Sequence, residues 1–140
     1  MKYYEAYDKR YRQVHGEGLR WASDCPSPIV EETISKYFGG RDIKLLDCGC
    51  GEGRDALYLL ERGYDLCGMD ISAEAIRCCR ERTREPERFF TADICRDRLE
   101  CRYDFIYSVA TLHMLVEQDD RRAYYRFIKE HLAPDRKSVV

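Results

Sequence analysis

One short stretch of this chain alternates carboxylates and glycines in a way that suits a charged organic ligand. Asp47-Cys48-Gly49-Cys50-Gly51-Glu52-Gly53 puts an aspartate at the end of an apolar run and three glycines at alternate positions after it. Glycine lets the backbone adopt left-handed conformations and approach a ligand closely. The free N–H groups that open a following helix then face the same space. Asp47 carries an acceptor-only side chain, which opposes a pyrophosphate and favours a cationic amine or sulfonium. The spacing is G-x-G-x-G and departs from the G-x-G-x-x-G of dinucleotide cradles.

Two further aspartates follow at telling places. Asp70 closes the next apolar run, where its carboxylate can accept both hydroxyls of a ribose. A helix-capping role competes for it, although Ser72 stands ready for that. Asp93 lies just past a third apolar run, placed to accept from an adenine amino group while Ile94 packs on the ring; a solvated loop aspartate is the plainer alternative.

These residues need a scaffold, and the periodicity supplies one. Residues 43–47, 65–70, 88–91 and 103–109 read as short strands, and 55–62, 72–83 and 119–132 as helices. Strand–helix alternation implies an α/β fold, a Rossmann-like doubly wound and mostly parallel sheet covered by helices on both faces. Its ligand belongs at the carboxyl ends of the first and fourth strands, where the winding reverses. Upstream, residues 1–20 form an amphipathic, tyrosine-rich helix ending at Gly16-Glu17-Gly18. Ser27-Pro28 opens another, with serine as N-cap and proline in the first turn, and Gly39-Gly40 stops it.

Composition narrows the function classes. One hundred and forty residues suit one domain, and a formal charge of −2 gives no global basic surface for nucleic acid or an anionic membrane. No run is long enough to span a bilayer and no signal peptide opens the chain, so the cytoplasm is the expected compartment. The eight cysteines form no paired C-x-x-C units and read as reduced, mostly buried apolar side chains, with no metal site expected.

Leu45-Leu46-Asp47-Cys48-Gly49-Cys50-Gly51-Glu52-Gly53 resembles motif I of the class I, S-adenosylmethionine-dependent methyltransferases. Asp70 matches that family's acidic residue after strand two, Ala92-Asp93-Ile94 its adenine-contact motif, and Tyr103-Asp104-Phe105-Ile106-Tyr107-Ser108 its fourth strand. The similarity runs over about residues 40–134, and Gly53-Arg54-Asp55-Ala56-Leu57-Tyr58-Leu59 looks most like the tellurite-resistance and thiopurine-type enzymes. The resemblance implies S-adenosylmethionine as cofactor and a small-molecule methyl acceptor. It implies that the backbone of Gly49, Cys50 and Gly51 holds the methionyl part with Asp47 nearby, that Asp70 holds the ribose and Asp93 with Ile94 the adenine, with Gly53 and Ile71 as further cofactor-binding candidates. Ser108 would face the methionyl amine or the transferred methyl. Tyr11 and Trp21 belong to the N-terminal segment that would fold over the cofactor, although an aromatic helix packed on the sheet explains them equally well. His113, after strand four, is the candidate base, although a packed histidine is the plainer reading. The alternatives are a non-catalytic S-adenosylmethionine-binding module and a nicotinamide-dependent oxidoreductase, which Asp47 disfavours.

The resemblance also sets an expectation about the C-terminus. The family sheet has seven strands, whereas this sequence supplies about the first five. Asp135-Arg136-Lys137-Ser138-Val139-Val140 is the translation expected from a common sequencing adapter (GAT CGG AAG AGC GTC GTG), so a non-native tail is expected there. The expected organisation is a helical cap over 1–40, a cofactor-binding core over 41–134 and that tail over 135–140. Lacking the last strands, the fourth strand should form an edge or be covered only by a frayed end, and the chain should be association-prone, with little turnover.

Overall fold

A computed structural model describes residues 1–21 and 25–139, the last five through their backbone alone. A short 3-10 turn (Tyr3–Ala6) leads into α1 (Tyr7–Gly16) and α2 (Pro28–Tyr37). Then β1 (Lys44–Cys48), α3 (Arg54–Glu61), β2 (Asp65–Asp70), α4 (Ala73–Glu81), β3 (Phe89–Thr91), β4 (Tyr103–Tyr107), α5 (Gln118–His131) and β5 (Leu132–Val139) follow in order.

The five strands form one sheet in the order β3-β2-β1-β4-β5, and every pairing is parallel. Parallel neighbours need crossovers, and those helices bury both faces of the sheet. Side chains on a strand alternate between faces, which separates two apolar layers. Leu45, Leu66 and Phe105 pack with Val30, Ile34 and Leu59 on one side. Leu46, Met69 and Ile106 pack with Tyr124, Phe127 and Ile128 of α5 on the other. The order reverses between β1 and β4, as the alternation of elements implies.

Two helix starts behave differently. Ser72 caps α4 by accepting from the Ala75 N–H at 3.1 Å. Ser27 occupies the N-cap position of α2 with Pro28 beside it, but makes no side-chain cap. Its hydroxyl instead accepts from Arg54 at 2.9 Å, which ties α2 to the start of α3.

A fifth strand lies against β4, where the expectation is an edge or one covered only by a frayed end. β5 pairs with β4 from Tyr103↔Leu132 to Tyr107↔Val139, with an irregularity opposite Tyr103–Phe105. Pro134 falls in that irregular stretch, and a residue without an N–H suits a bulge where ladder bonding is interrupted. All eight cysteines are free thiols. Among the described residues, no helix is long and apolar enough to cross a membrane.

Candidate functional site

A cleft of about 380 Å³ opens at the carboxyl ends of the central strands, within the size range of small-molecule sites. Its floor is the glycine loop that joins β1 to α3. The loop hangs from β2, because the N–H groups of Gly49 and Cys50 both donate to the Met69 carbonyl, at 2.8 and 3.0 Å. Gly49 (φ +77°) and Gly51 (φ +55°) lie in the left-handed region that disfavours side chains. A Cβ on Gly49 would collide with the Thr111 side chain, and one on Gly51 would come within 2.8 Å of the Tyr11 hydroxyl. The bare backbone is therefore required by shape as well as by conformation at Gly49, and chiefly by conformation at Gly51.

Asp70 organises that loop from the end of β2. Its Oδ2 accepts from the Gly51 N–H and its Oδ1 from the Ser72 N–H, each at 2.9 Å. Ribose binding and loop anchoring are compatible, since an ionised carboxylate offers about four acceptor positions. Asp93 is held similarly: its Oδ1 accepts from the Cys95 N–H at 2.8 Å and its Oδ2 from the Tyr4 hydroxyl at 3.0 Å.

Charge is distributed unevenly around the cleft. Asp47, Glu52, Asp55, Asp70 and Asp93 line it, and Arg54 is its one basic lining side chain among the described residues. Burial pushes the Asp47 pKa well above the usual carboxylate range; Asp55 and Asp70 add to this, while the Tyr107 hydroxyl and Arg54 oppose it. Burial likewise raises Asp70, against the N–H groups of Ser72 and Gly51 that stabilise its ionised form. Carboxylates crowded in this way favour a bound cation and repel phosphate.

The roof comes from the N-terminal segment. α1 buries no residue of its own and is held largely by polar contacts. Asp8 accepts from the Ser72 hydroxyl at 2.8 Å and from the Glu74 N–H at 3.0 Å. Tyr7, Tyr11 and His15 follow at intervals of four, so they share one face of the helix. Tyr7 and Tyr11 line the cleft, with Trp21 tilted against both at ring distances of 6.0 and 5.5 Å. His15 bridges two carboxylates, Nε2 to Glu52 and Nδ1 to Glu74, each at 2.7 Å. Burial works to lower the His15 pKa, but the two carboxylates outweigh it and the pKa is raised.

The structure thus gathers Asp47, Gly49, Cys50, Gly51, Asp70, Ile71, Asp93, Ile94, Tyr11 and Trp21 around one cleft. Gly53 stays behind it, with a left-handed φ of +85° at the start of α3, where a Cβ would meet Leu57 and Cys79. Ser108 and His113 do not reach the cleft. Ser108 shares the Ile106 face of the strand, so its hydroxyl is buried beside that of Tyr124 in α5. His113 lies exposed on the 3-10 turn Leu112–Met114, while Met114 and Leu115 supply the cleft wall. Sequence reasoning missed Arg54, Thr111, Tyr4 and Tyr7. Arg54 had a signal, as a cation immediately after the last loop glycine. Thr111 had none: it is delivered by Ala110, a non-glycine residue at φ +57°.

Comparison with known proteins agrees with this geometry. A methyltransferase domain matches residues 45–135. A Haemophilus influenzae protein named "Probable S-adenosyl-L-methionine-dependent methyltransferase TehB" is 34% identical over 92 residues, covering 63% of this chain and 32% of that one. The 2-heptyl-1-hydroxyquinolin-4(1H)-one methyltransferase of Mycobacteroides abscessus is 32% identical over 146 residues, covering 97% of this chain and 63% of that one. Among solved structures, a TehB-like SAM-dependent methyltransferase from Corynebacterium glutamicum superposes with a TM-score of 0.67 at 25% identity, covering 96% of this chain and 70% of that one. The chain spans 32% and 63% of the lengths of the two curated relatives.

Proposed function

Because the chain belongs to the methyltransferase domain family, of the class I S-adenosylmethionine-dependent type, we propose that it transfers a methyl group from S-adenosylmethionine to a small acceptor. The observation that carries this reading is the acidic cleft over a loop of left-handed glycines, where a Cβ would crowd Thr111 at Gly49 and the Tyr11 hydroxyl at Gly51. A ligand bearing a sulfonium and an ammonium complements it; the pyrophosphate of a dinucleotide does not.

The residues present fit that cofactor. The Gly49–Gly51 backbone would receive the methionyl part, Asp47 its ammonium and Arg54 its carboxylate. Asp70 would accept from the ribose hydroxyls, and Asp93 from the adenine amino group between Ile71 and Ile94. When bound, S-adenosylmethionine would supply an electrophilic methyl that an acceptor takes by in-line displacement, with the C–S electron pair leaving on sulfur and the acceptor's proton lost to solvent. The chain's own part is alignment and exclusion of water. Val109, Met114 and Leu115 give the apolar wall for that. His113, outside the cleft, has no part in this scheme.

The acceptor side is the N-terminal roof, so residues 1–40 act as a cap over a core at 41–134. Tyr7 and the half-exposed Trp21 form an aromatic rim, which suits a flat aromatic acceptor. The relative that matches nearly the whole chain is named for such an acceptor, a hydroxyquinolinone. Incubation with methyl-labelled S-adenosylmethionine and a panel of hydroxyaromatics, thiols and amines tests this. Label should appear in a hydroxyaromatic product. Tight cofactor binding with no transfer to any acceptor would reduce the chain to a binding module.

A further inference from the structure

Beneath α1, beside the cofactor cleft, three metal-ligating side chains from three separate elements converge. They are His15 from α1, Glu52 from the glycine loop and Cys78 from α4, and one ligand atom from each lies within 4.8 Å of the other two. From this cluster we infer a binding site for a divalent transition ion of zinc type, which pins the N-terminal helix onto the glycine loop. The inference is independent of whether methyl transfer occurs.

The chemistry of the donor set favours zinc. Imidazole nitrogen, thiolate sulfur and carboxylate oxygen are the three donor types it accepts, and three protein ligands leave one tetrahedral position for water. Calcium and magnesium, which take oxygen ligands, match this set poorly. For the His15–Glu52 pair the geometry is close to what is needed, and the Cys78 sulfur, within 4.8 Å of both, must swing inward to join them. His15 Nε2 and Glu52 Oε2 stand 2.7 Å apart, with their side chains 9% and 1% exposed. Coordination of one ion by both atoms requires about 3.3 Å, so a side-chain adjustment of about half an ångström admits it.

His15 is also oriented as metal-bound histidines are. Its other ring nitrogen, Nδ1, is held by the Glu74 carboxylate at 2.7 Å. A carboxylate behind a ligating imidazole fixes the ring and raises its basicity. Glu74 is itself fixed by two hydrogen bonds from Arg77, at 2.6 and 3.0 Å. On binding, the ion replaces the proton shared between Nε2 and Glu52 and the proton of the Cys78 thiol, and both leave to solvent. Two cations border the cluster: Arg77 pairs with Glu74, and Arg82 donates to the Glu52 carbonyl at 3.3 Å and stands by Cys78. The ion's charge is therefore met by its own ligands, the Glu52 carboxylate and the Cys78 thiolate.

Titration of the chelator-stripped 140-residue chain with zinc chloride, followed by calorimetry, tests the site. One equivalent should bind tightly, and cobalt(II) should give a sulfur-to-metal charge-transfer band in the near ultraviolet. Cys78→Ser and His15→Gln should lose the band and the tight equivalent. Cys101→Ser, at an exposed thiol remote in sequence, should keep both. Glu74→Gln should weaken binding about 10–100-fold without abolishing it. Binding that survives in Cys78→Ser or His15→Gln but falls in Cys101→Ser would place the metal elsewhere. A folded chain, verified by circular dichroism, that takes up no tight equivalent would overturn the site. The cluster would then be an ion-pair clamp alone. Should Cys78→Ser fail to fold, the same decision rests on Glu74→Gln and on the cobalt spectrum of the unmodified chain.

Discussion

Asp70 and Gly51 are joined by a 2.9 Å hydrogen bond from the loop N–H to carboxylate Oδ2, so the end of β2 sets the conformation of the glycine cradle. The other oxygen of the same carboxylate holds the start of α4 through the Ser72 N–H. One buried side chain therefore aligns the two backbone segments that flank the ligand space, and several outcomes depend on that link.

Asp70→Asn keeps one acceptor oxygen but turns an NH2 group toward a backbone N–H. Either Gly51 or Ser72 is then left as a buried donor without a partner, at a cost of about 1–3 kcal/mol. Urea unfolding of the two proteins measures this. Equal midpoints would show that the loop is not held by Asp70.

Gly51→Ala introduces a Cβ at φ +55°, facing the Tyr11 hydroxyl. A left-handed non-glycine residue costs about 1–2 kcal/mol, and the contact adds to it. The expected signs are lowered stability and a displaced aromatic roof, read as a change in the fluorescence of Trp21, which packs on Tyr11. Unchanged fluorescence and stability would mean that Tyr11 does not sit over the loop.

Arg54→Leu should cost cofactor affinity by about 10–150-fold, the worth of a hydrogen bond to a charged group. The loss should vanish with 5′-methylthioadenosine, which lacks the methionyl carboxylate. If both ligands weaken equally, Arg54 acts on the fold, where it also holds Ser27.

Asp47 gives a pH signature. Its folded pKa lies well above the ordinary value because it is buried among other carboxylates. Between the unperturbed carboxylate pKa, about 3.9, and that raised value, the folded chain keeps a proton that the unfolded chain has lost. Its contribution to stability is thus complete below the ordinary value and is lost as pH rises through the raised one. A cationic ligand favours the ionised form, so cofactor binding should release a proton and tighten with rising pH across the same window. Calorimetry in buffers of different ionisation enthalpy detects the proton, and Asp47→Asn should remove that buffer dependence. Proton uptake on binding would contradict this assignment.

The parts of the site legible in the sequence were those set by backbone requirements. Asp47, Asp70 and the loop glycines could be read because strand ends and left-handed turns demand particular residue types at fixed spacing. Residues whose facing depends on a single step of the chain could not. Ser108 follows strand periodicity toward α5 and Tyr124, and His113 lies on the outer side of a 3-10 turn whose Met114 lines the cleft. Contacts made by distant segments, such as Tyr4 on Asp93 or His15 between Glu52 and Glu74, left no local pattern. β5 is expected only through the family resemblance, since its Pro134 and charged residues break strand alternation, yet its backbone pairs with β4.

Parallel titrations with S-adenosylmethionine and with NAD test the acidic cradle most directly. S-adenosylmethionine should bind with one-to-one stoichiometry, weakened by Asp47→Asn, while NAD at the same concentrations gives no saturable heat. NAD binding as tightly as S-adenosylmethionine, or S-adenosylmethionine binding untouched by loss of the Asp47 charge, would contradict a site built for a cationic ligand.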